Sequence, residues 1–257
     1  MLLFASDLHL SPRSPGATTL FLGFLAGRVR EAEALYILGD LFEVWVGDDI
    51  SDTWHRQIIQ ALRQTSDAGV RIHVMHGNRD FALGDAFATA AGVQLIPDPF
   101  ELHLPDWSFV LAHGDALCLD DPAYVAYRAK VRDPAWLERM LKKPRWLRTL
   151  LGRYIRWRSA RNKARRAVYQ DLDPSATDDF LRTHGYATFI HGHTHQAATH
   201  DHIVDGIHVE RWVLGDWHED RGDCLVWNGE RLQREVVLPP GVLPISVLPA
   251  GTRPTQT

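Results

Sequence analysis

Five short polar motifs punctuate this chain, and each stands directly behind a run of apolar residues. Asp7-Leu8-His9 follows the run 2–6, Gly39-Asp40 follows 34–38, and Gly77-Asn78-Arg79-Asp80 follows 71–75. Ala112-His113-Gly114-Asp115 closes the run 108–112, and His191-Gly192-His193-Thr194-His195 follows 187–190. Short, nearly continuous apolar runs are the pattern of strands buried on both faces. Between them the spacing turns helical: Leu20, Phe24, Leu25 and Val29 predict a helix over 17–32, and a second is expected over 53–68. A further short helix leads to strands near 93–96 and 100–104. This alternation predicts an α/β layered fold. In such sheets ligands gather at the carboxyl ends of the strands, so five polar clusters at five strand ends are expected to converge on one point. The glycines beside them allow tight turns and close backbone approach.

The residue types name the chemistry. Asp, His and Asn without cysteine make a nitrogen and oxygen site, suited to borderline or hard divalent ions such as manganese, iron or zinc. Seven candidate ligands, Asp7, His9, Asp40, Asn78, His113, His193 and His195, exceed what one tetrahedral ion needs. Two ions about 3.5–4 Å apart, sharing a carboxylate, would use them all, activating a water and clamping a phosphoryl group. A lone strand-end Asp-x-His binds metal roughly one time in ten, as a weak motif match. Five such motifs in one order are not independent accidents. His55, His103, His184, His200, His202 and His208 have no motif around them and read as ordinary polar residues, whereas His76 and His191 precede two of the glycines and are candidates to support the ligands.

Residues 123–170 break the alternation. They read as a helical insert interrupted by Pro134 and Pro144, with an apolar stripe of Trp146, Leu147, Leu150, Leu151, Tyr154 and Ile155 at i, i+3, i+4, i+7 and i+8 spacing. The formal charge of −4 hides an asymmetry here. From Arg128 to Arg166 there are 15 Lys and Arg against two acids, Asp133 and Glu138, so the remaining residues must carry −17. A basic insert on an acidic body suggests an anionic partner: phosphate, nucleic acid or a membrane surface. Sheet pattern resumes after the insert, with Asp205-Gly206 and Asn228-Gly229 as hairpin turns. Five prolines from Pro239 onward suggest an irregular tail over 239–257. The whole reads as one domain, 1–257. No run of about eighteen apolar residues is present for a spanning helix. The start, MLLFASDLHL, does not read as a signal peptide, and Cys118 and Cys224 form no disulfide framework, which points to a reducing cytosol.

The motif order D-x-H, GD, GN-x-D, GH and GH-x-H resembles the calcineurin-like metallophosphoesterases over roughly residues 1–218. Four segments resemble one subfamily, the UDP-2,3-diacylglucosamine hydrolases of lipid A synthesis: Asp40–Glu43, His76–Phe81, Tyr127–Arg132 and Leu214–His218. The resemblance implies a layered sandwich of two β-sheets flanked by helices, with the insert as a lid. It implies one metal on Asp7, His9, Asp40 and His195 and a second on Asp40, Asn78, His113 and His193, with Asp40 bridging and manganese as both ions. The implied reaction cleaves UDP-2,3-diacylglucosamine to UMP and 2,3-diacylglucosamine 1-phosphate, with Asp40, Asn78 and Arg79 as catalytic residues. The superfamily usually has His where this chain has Arg79. A permanent, forked cation there can stabilise the transition state, and a glycosyl phosphate is already a fair leaving group. Substrate contacts are implied at Asn78, Arg79, Asp121, Asn162, Arg165 and His193. Arg165 stands where the subfamily has Lys, and Arg158 where it has Ser, with Ser159 beside it; Arg158, Asn162 and Arg165 share one helical face.

The insert's Trp136, Trp146 and Trp157 among arginines read as an interfacial surface. The expectation is a peripheral monomer at the cytoplasmic face of the bacterial inner membrane, without nucleic acid. Two rivals use the same motifs: another dinuclear enzyme (a nuclease, cyclic nucleotide phosphodiesterase or phosphatase), and a non-catalytic metal-dependent binding module. Arg79 and the subfamily-like segments argue against the first, and the full set of seven ligands against the second.

Overall fold

The computed structural model describes residues 1–49, 52–152, 154–155, 171–239 and 241–242. Two sheets lie face to face. The first has six strands in the order β11-β10-β1-β2-β3-β4. Its parallel half is β1 (Leu2–Ala5), β2 (Ala34–Leu38), β3 (Arg71–Met75) and β4 (Gln94–Ile96), and β10 (Gly222–Trp227) and β11 (Leu232–Val237) add an antiparallel edge. The second sheet runs β5-β6-β7-β9-β8, from β5 (Phe100–His103), β6 (Ser108–Ala112), β7 (Thr188–His191), β8 (Ala198–Val204) and β9 (Ile207–Val213). In it β6, β7 and β9 are parallel.

The alternation of side chains along each strand builds three cores. Leu2, Phe4, Tyr36 and Leu38 point from the first sheet toward Phe109, Leu111 and Ile190 of the second. Their neighbours Leu3, Ala5, Leu35 and Ile37 point the other way, into a core closed by α1 (Pro15–Ala26), α2 (Thr53–Asp67) and α3 (Asp85–Ala91). Val110, Ala112 and Phe189 meet Leu181 of α7 (Pro174–Thr183) on the far side. β1, β2, β6 and β7 are therefore covered on both faces, which is why these runs read as continuously apolar.

The helix expected over 17–32 is shorter: α1 stops at Ala26, and a 3-10 turn covers Arg28–Glu31. Gly27 lies between them and costs a continuous helix roughly 1 kcal/mol relative to Ala. Asp205 and Gly206 both take positive φ, 54° and 82°, joining β8 to β9 by the two-residue turn whose twist suits adjacent strands.

The prolines of the insert start helices rather than interrupting one. α4 (Pro122–Val131) and α5 (Pro134–Leu141) each open with Asp as N-cap and Pro in the first turn, as α7 does. Pro144 precedes α6, residues 145–152. The stripe is split in its contacts. Leu151 and Trp136 pack on the main core, while Trp146 is 65% and Leu150 53% exposed. Arg148 from α6 is buried and binds Val46 O and Asp49. Arg158, Ser159, Asn162, Arg165 and Trp157 lie outside the described residues, as does the tail from 243 onward. Cys118 and Cys224 are free thiols.

Candidate metal centre

The loops behind β1, β2, β3, β6 and β7 meet at one end of the sandwich, bringing together all seven predicted ligands. The backbone there is unusual. Among the described residues seven non-glycine residues have positive φ, and five of them are Asp7, His9, Asp40, His193 and His195. Such conformations cost about 1–3 kcal/mol each and persist where surrounding structure holds them. Asp7 N donates to Gly39 O at 3.2 Å and His9 N to Asp40 O at 2.9 Å. Asp80, fully buried, accepts from Gly77 N at 2.8 Å and from Asp40 N and Phe42 N at 3.3 Å. Asp7 Oδ2 accepts from His193 N at 2.8 Å, and Asp40 Oδ1 from Arg79 N at 2.8 Å. Two glycines make room for this: a Cβ on Gly77 would overlap Asp40 Oδ1, and one on Gly192 would overlap Asp7 Oδ2.

The donor atoms form two groups, Asp7 with His9 and His195, and Asp7 with Asp40 and His113; in each the atoms lie within 4.8 Å of one another. Asp40 turns one oxygen to each half, Oδ2 3.8 Å from His9 Nε2 and Oδ1 3.8 Å from His113 Nε2. Asn78 Oδ1 lies 3.0 Å from His113 Nε2 and 3.2 Å from His193 Nδ1. Two features fit divalent cations. The buried Asp7 Oδ1 makes no hydrogen bond. His9 Nε2 and His195 Nε2 face each other at 3.2 Å, two imidazole nitrogens turned to one space.

Electrostatics agrees. Burial raises the Asp40 carboxyl to about 6, with the Asp80 and Asp7 charges adding to it against His113 and His9. Burial works against a charged His113, yet Asp40, Asp115, Asp7 and Asp98 outweigh it and lift the imidazole to about 9. His195 is lifted to about 9 in the same way, burial being overcome by Asp216 and Asp7. His193 falls to about 3 through burial and the neighbouring His113 charge. For Asp7, burial is overcome by His195, His113 and His9, and its carboxyl is depressed. Without a metal, the cluster holds protons on imidazoles where a cation would sit.

A second ring orients the imidazoles. His9 Nδ1 is 2.9 Å from Glu43 Oε2, and His195 Nδ1 is 3.2 Å from Asp216 Oδ2. His113 Nδ1 donates to Leu38 O at 2.9 Å. In all three the far nitrogen is engaged and Nε2 faces the site, the arrangement that fixes tautomer and ring angle in metal-binding histidines. Glu43 and Asp216 belong to two of the resembling segments, but no spacing rule pointed to this task.

One wall of the site comes from α4, where Tyr124, Arg128 and Arg132 lie at i, i+4 and i+8. Tyr124 donates to Asp115 Oδ2 at 2.8 Å, and its ring centre is 5.7 Å from that of His193. Arg128 lies 3.0 Å from both Asp115 Oδ1 and Asp98 Oδ2, and Asp98 Oδ1 accepts from His113 N at 3.2 Å. Arg132 donates to His76 O at 2.9 Å, next to Gly77 and Asn78. Only the docked helix reveals these partners. Arg79, half-buried, stands beside Tyr127: burial pushes that phenol up to about 12, the Arg79 charge opposing and Asp40 reinforcing. Asp121 accepts from Ala123 N and Tyr124 N, each at 3.1 Å, capping α4 at the edge of the site. His76 donates to Leu83 O at 2.7 Å. His55, His103, His184, His202 and His208 pair with acids away from the site.

The model of the calcineurin-like phosphoesterase family matches residues 1–197. UDP-2,3-diacylglucosamine hydrolase of Aromatoleum aromaticum is 43% identical over 228 residues, 88% of this chain and 93% of the relative. That of Pseudomonas aeruginosa is 47% identical over 216 residues, covering 84% and 90%. That of Klebsiella pneumoniae is 42% identical over 220 residues, covering 85% and 91%.

Metal must displace the protons held at His113 and His195, both lifted to about 9. Manganese binding is therefore expected to release protons and to strengthen steadily between pH 6 and about 9, weakening as pH falls. Calorimetry in buffers of different ionisation enthalpy measures this, and pH-independent binding would contradict it. Glu43→Ala and Asp216→Ala are expected to weaken manganese binding about 10–100-fold by releasing His9 and His195, measured by titration of the metal-free protein.

Proposed function

The chain belongs to the calcineurin-like phosphoesterase family and, within it, to the UDP-2,3-diacylglucosamine hydrolases, and from that membership we propose that it hydrolyses the pyrophosphate bond of UDP-2,3-diacylglucosamine, giving UMP and 2,3-diacylglucosamine 1-phosphate. The observation that carries this is the meeting of five donor residues in two overlapping groups, with Asn78 and His193 against His113 and Asn78 and with Arg79 beside them. Asp7, His9, Asp40 and His195 would hold one ion, and Asp40, Asn78, His113 and His193 the other; manganese suits the donor set. A bound pair of such ions supplies Lewis acidity, activating water and neutralising phosphate charge.

The remaining roles fall to this chain's own side chains. Asp40 separates the two halves with one oxygen toward each. Asn78 and His193 border the position of the phosphoryl group and contact substrate. Arg79 sets a permanent charge and a planar fork against oxygens that gain charge in the transition state. Its backbone N–H to Asp40 keeps that fork in step with the donors. No histidine occupies the third position of the GN-x-D motif, so the leaving group departs without an imidazole acid there, which a sugar phosphate tolerates. Asp121 at the start of α4, with Arg158 or its neighbour Ser159, Asn162 and Arg165 farther along the insert, would anchor the sugar and phosphates.

The acyl chains call for an apolar approach. Trp146, Leu147, Leu150 and Tyr154 are 37–65% exposed, and Lys142 and Lys143 precede them. An exposed apolar stripe with basic neighbours suits an anionic bilayer interface. No described helix is long and apolar enough to cross a membrane. The proposal is a monomer bound peripherally at the cytoplasmic face of the inner membrane, with no nucleic-acid partner.

UMP release from the lipid nucleotide tests the reaction. The manganese-loaded enzyme is expected to be active, a chelator to abolish activity and manganese to restore it. Arg79→Ala is expected to lower kcat about 10²–10³-fold with both ions retained; kcat near wild type would remove Arg79 from the transition state. Vesicles containing anionic lipid are expected to sediment the full chain in a salt-sensitive way, and Trp146→Ser with Leu150→Ser to reduce that binding about tenfold or more, on the area those side chains bury.

A further inference from the structure

We propose that Arg211 is a positioning residue that ties the root of the helical insert to the metal-bearing loop, so that substrate held by the insert is presented in register with the donor cluster; this rests on the functional reading above. Arg211 lies on β9, outside every motif, and is 4% exposed. Its guanidinium reaches three places at once. Nη1 and Nη2 donate to Asp171 Oδ1 and Oδ2 at 2.9 and 2.6 Å. Nη1 also lies 3.1 Å from His191 Nε2, and Nε donates to His202 Nε2 at 3.1 Å.

The two main partners matter for where they stand. Asp171 is at the C-terminal root of the insert, and Asp173 N donates to Leu117 O at 2.9 Å, pinning that root against the N-terminal one. Leu117 and Leu172 share a core with Ala112 of β6, Phe189 of β7 and Val209 of β9. His191 opens the loop that carries His193 and His195. Its Nδ1 donates to Gly192 O at 2.8 Å, which leaves Nε2 to accept from Arg211. Gly192 N in turn donates to His113 O at 3.1 Å. One fork therefore spans the insert root and a loop bearing three of the motif histidines.

Stability alone would not select this arrangement. An ion pair whose cation is buried gains little over apolar packing of the same volume, because desolvation of the guanidinium offsets the attraction. A planar guanidinium that satisfies partners on three elements fixes their relative geometry instead. Lysine keeps the charge but cannot hold the bidentate contact and His191 together. Asn at 171 keeps one acceptor oxygen and loses the charge.

The test is steady-state UMP release from the lipid nucleotide by the manganese-loaded full chain, comparing wild type with Asp171→Asn and Arg211→Lys. The expected result is KM raised about tenfold, kcat within about twofold of wild type and manganese content per chain unchanged, since presentation of substrate is impaired and the chemistry is not. A drop in kcat beyond about twofold, loss of manganese, or no change in KM overturns the proposal. Should Arg211→Lys fail to fold, Asp171→Asn decides alone, because Asp171 is 38% exposed and its substitution opens no cavity. Wild type inactive on this substrate would sink the functional reading and this inference with it. Wild type active with both variants unaltered sinks the inference only.

Discussion

Asp7 and Asp40 are buried together, 0% and 1% exposed, in a space where two like charges repel strongly. Nothing in an apolar interior stabilises such a pair. Their charge is balanced by imidazoles: His9, His113 and His195 lie within 3.8 Å of one or both carboxylates. Without metal the balance is made with protons, and His113 and His195 keep theirs to about pH 9. Divalent cations would do the same work with more charge and fixed coordination. The left-handed backbone at five of the candidate ligands, the glycines that admit carboxylate oxygens and the Asp80 cradle all bear on this one electrostatic demand.

The sandwich makes the demand affordable in geometric terms. Parallel β1, β2 and β3 end side by side, and so do β6 and β7, with the two sheets joined by Phe4, Leu38, Phe109 and Ile190. Strand ends on a close-packed double sheet move little. Ligands from both sheets are thereby set against each other by the most rigid part of the molecule, and the second ring of Glu43, Asp216 and Leu38 O only has to settle ring rotation.

The strand ends and the candidate ligands beside them were legible because burial and chemistry leave local marks: a continuous apolar run, then side chains of the types that bind metals, in most cases with a glycine beside them. The same was true of the turn at Asp205-Gly206, where two positive φ values require such residues. Glu43, Asp216, Asp98 and Arg211 carried no such mark. An acid that orients a histidine or pairs with an arginine is spaced by tertiary contact and not by period. The prolines of the insert were misleading for a related reason. Proline inside a helical pattern reads as an interruption, but behind an Asp cap it starts a new helix, and Asp133-Pro134 does so. The end of α1 shows the limit of periodicity: Val29 keeps the apolar spacing and is buried, yet it sits in a 3-10 turn beyond Gly27.

The basic excess of the insert divides into two parts once partners are known. Arg128, Arg132 and Arg148 spend their charge on the body: Asp98 and Asp115, the carbonyls of His76 and Gly77, and Asp49 with Val46 O. These contacts account for part of the basic excess, seven cations of the insert lying outside the described residues, and they attach the insert to the loops that hold the donors. A charge run along a chain therefore overstates the field offered to a ligand. Near the centre stands Arg79, half-buried, with its backbone N–H fixed to Asp40 Oδ1. A forked cation at the donor cluster would meet a phosphoryl group by position, whereas a diffuse positive surface attracts any polyanion and orients none.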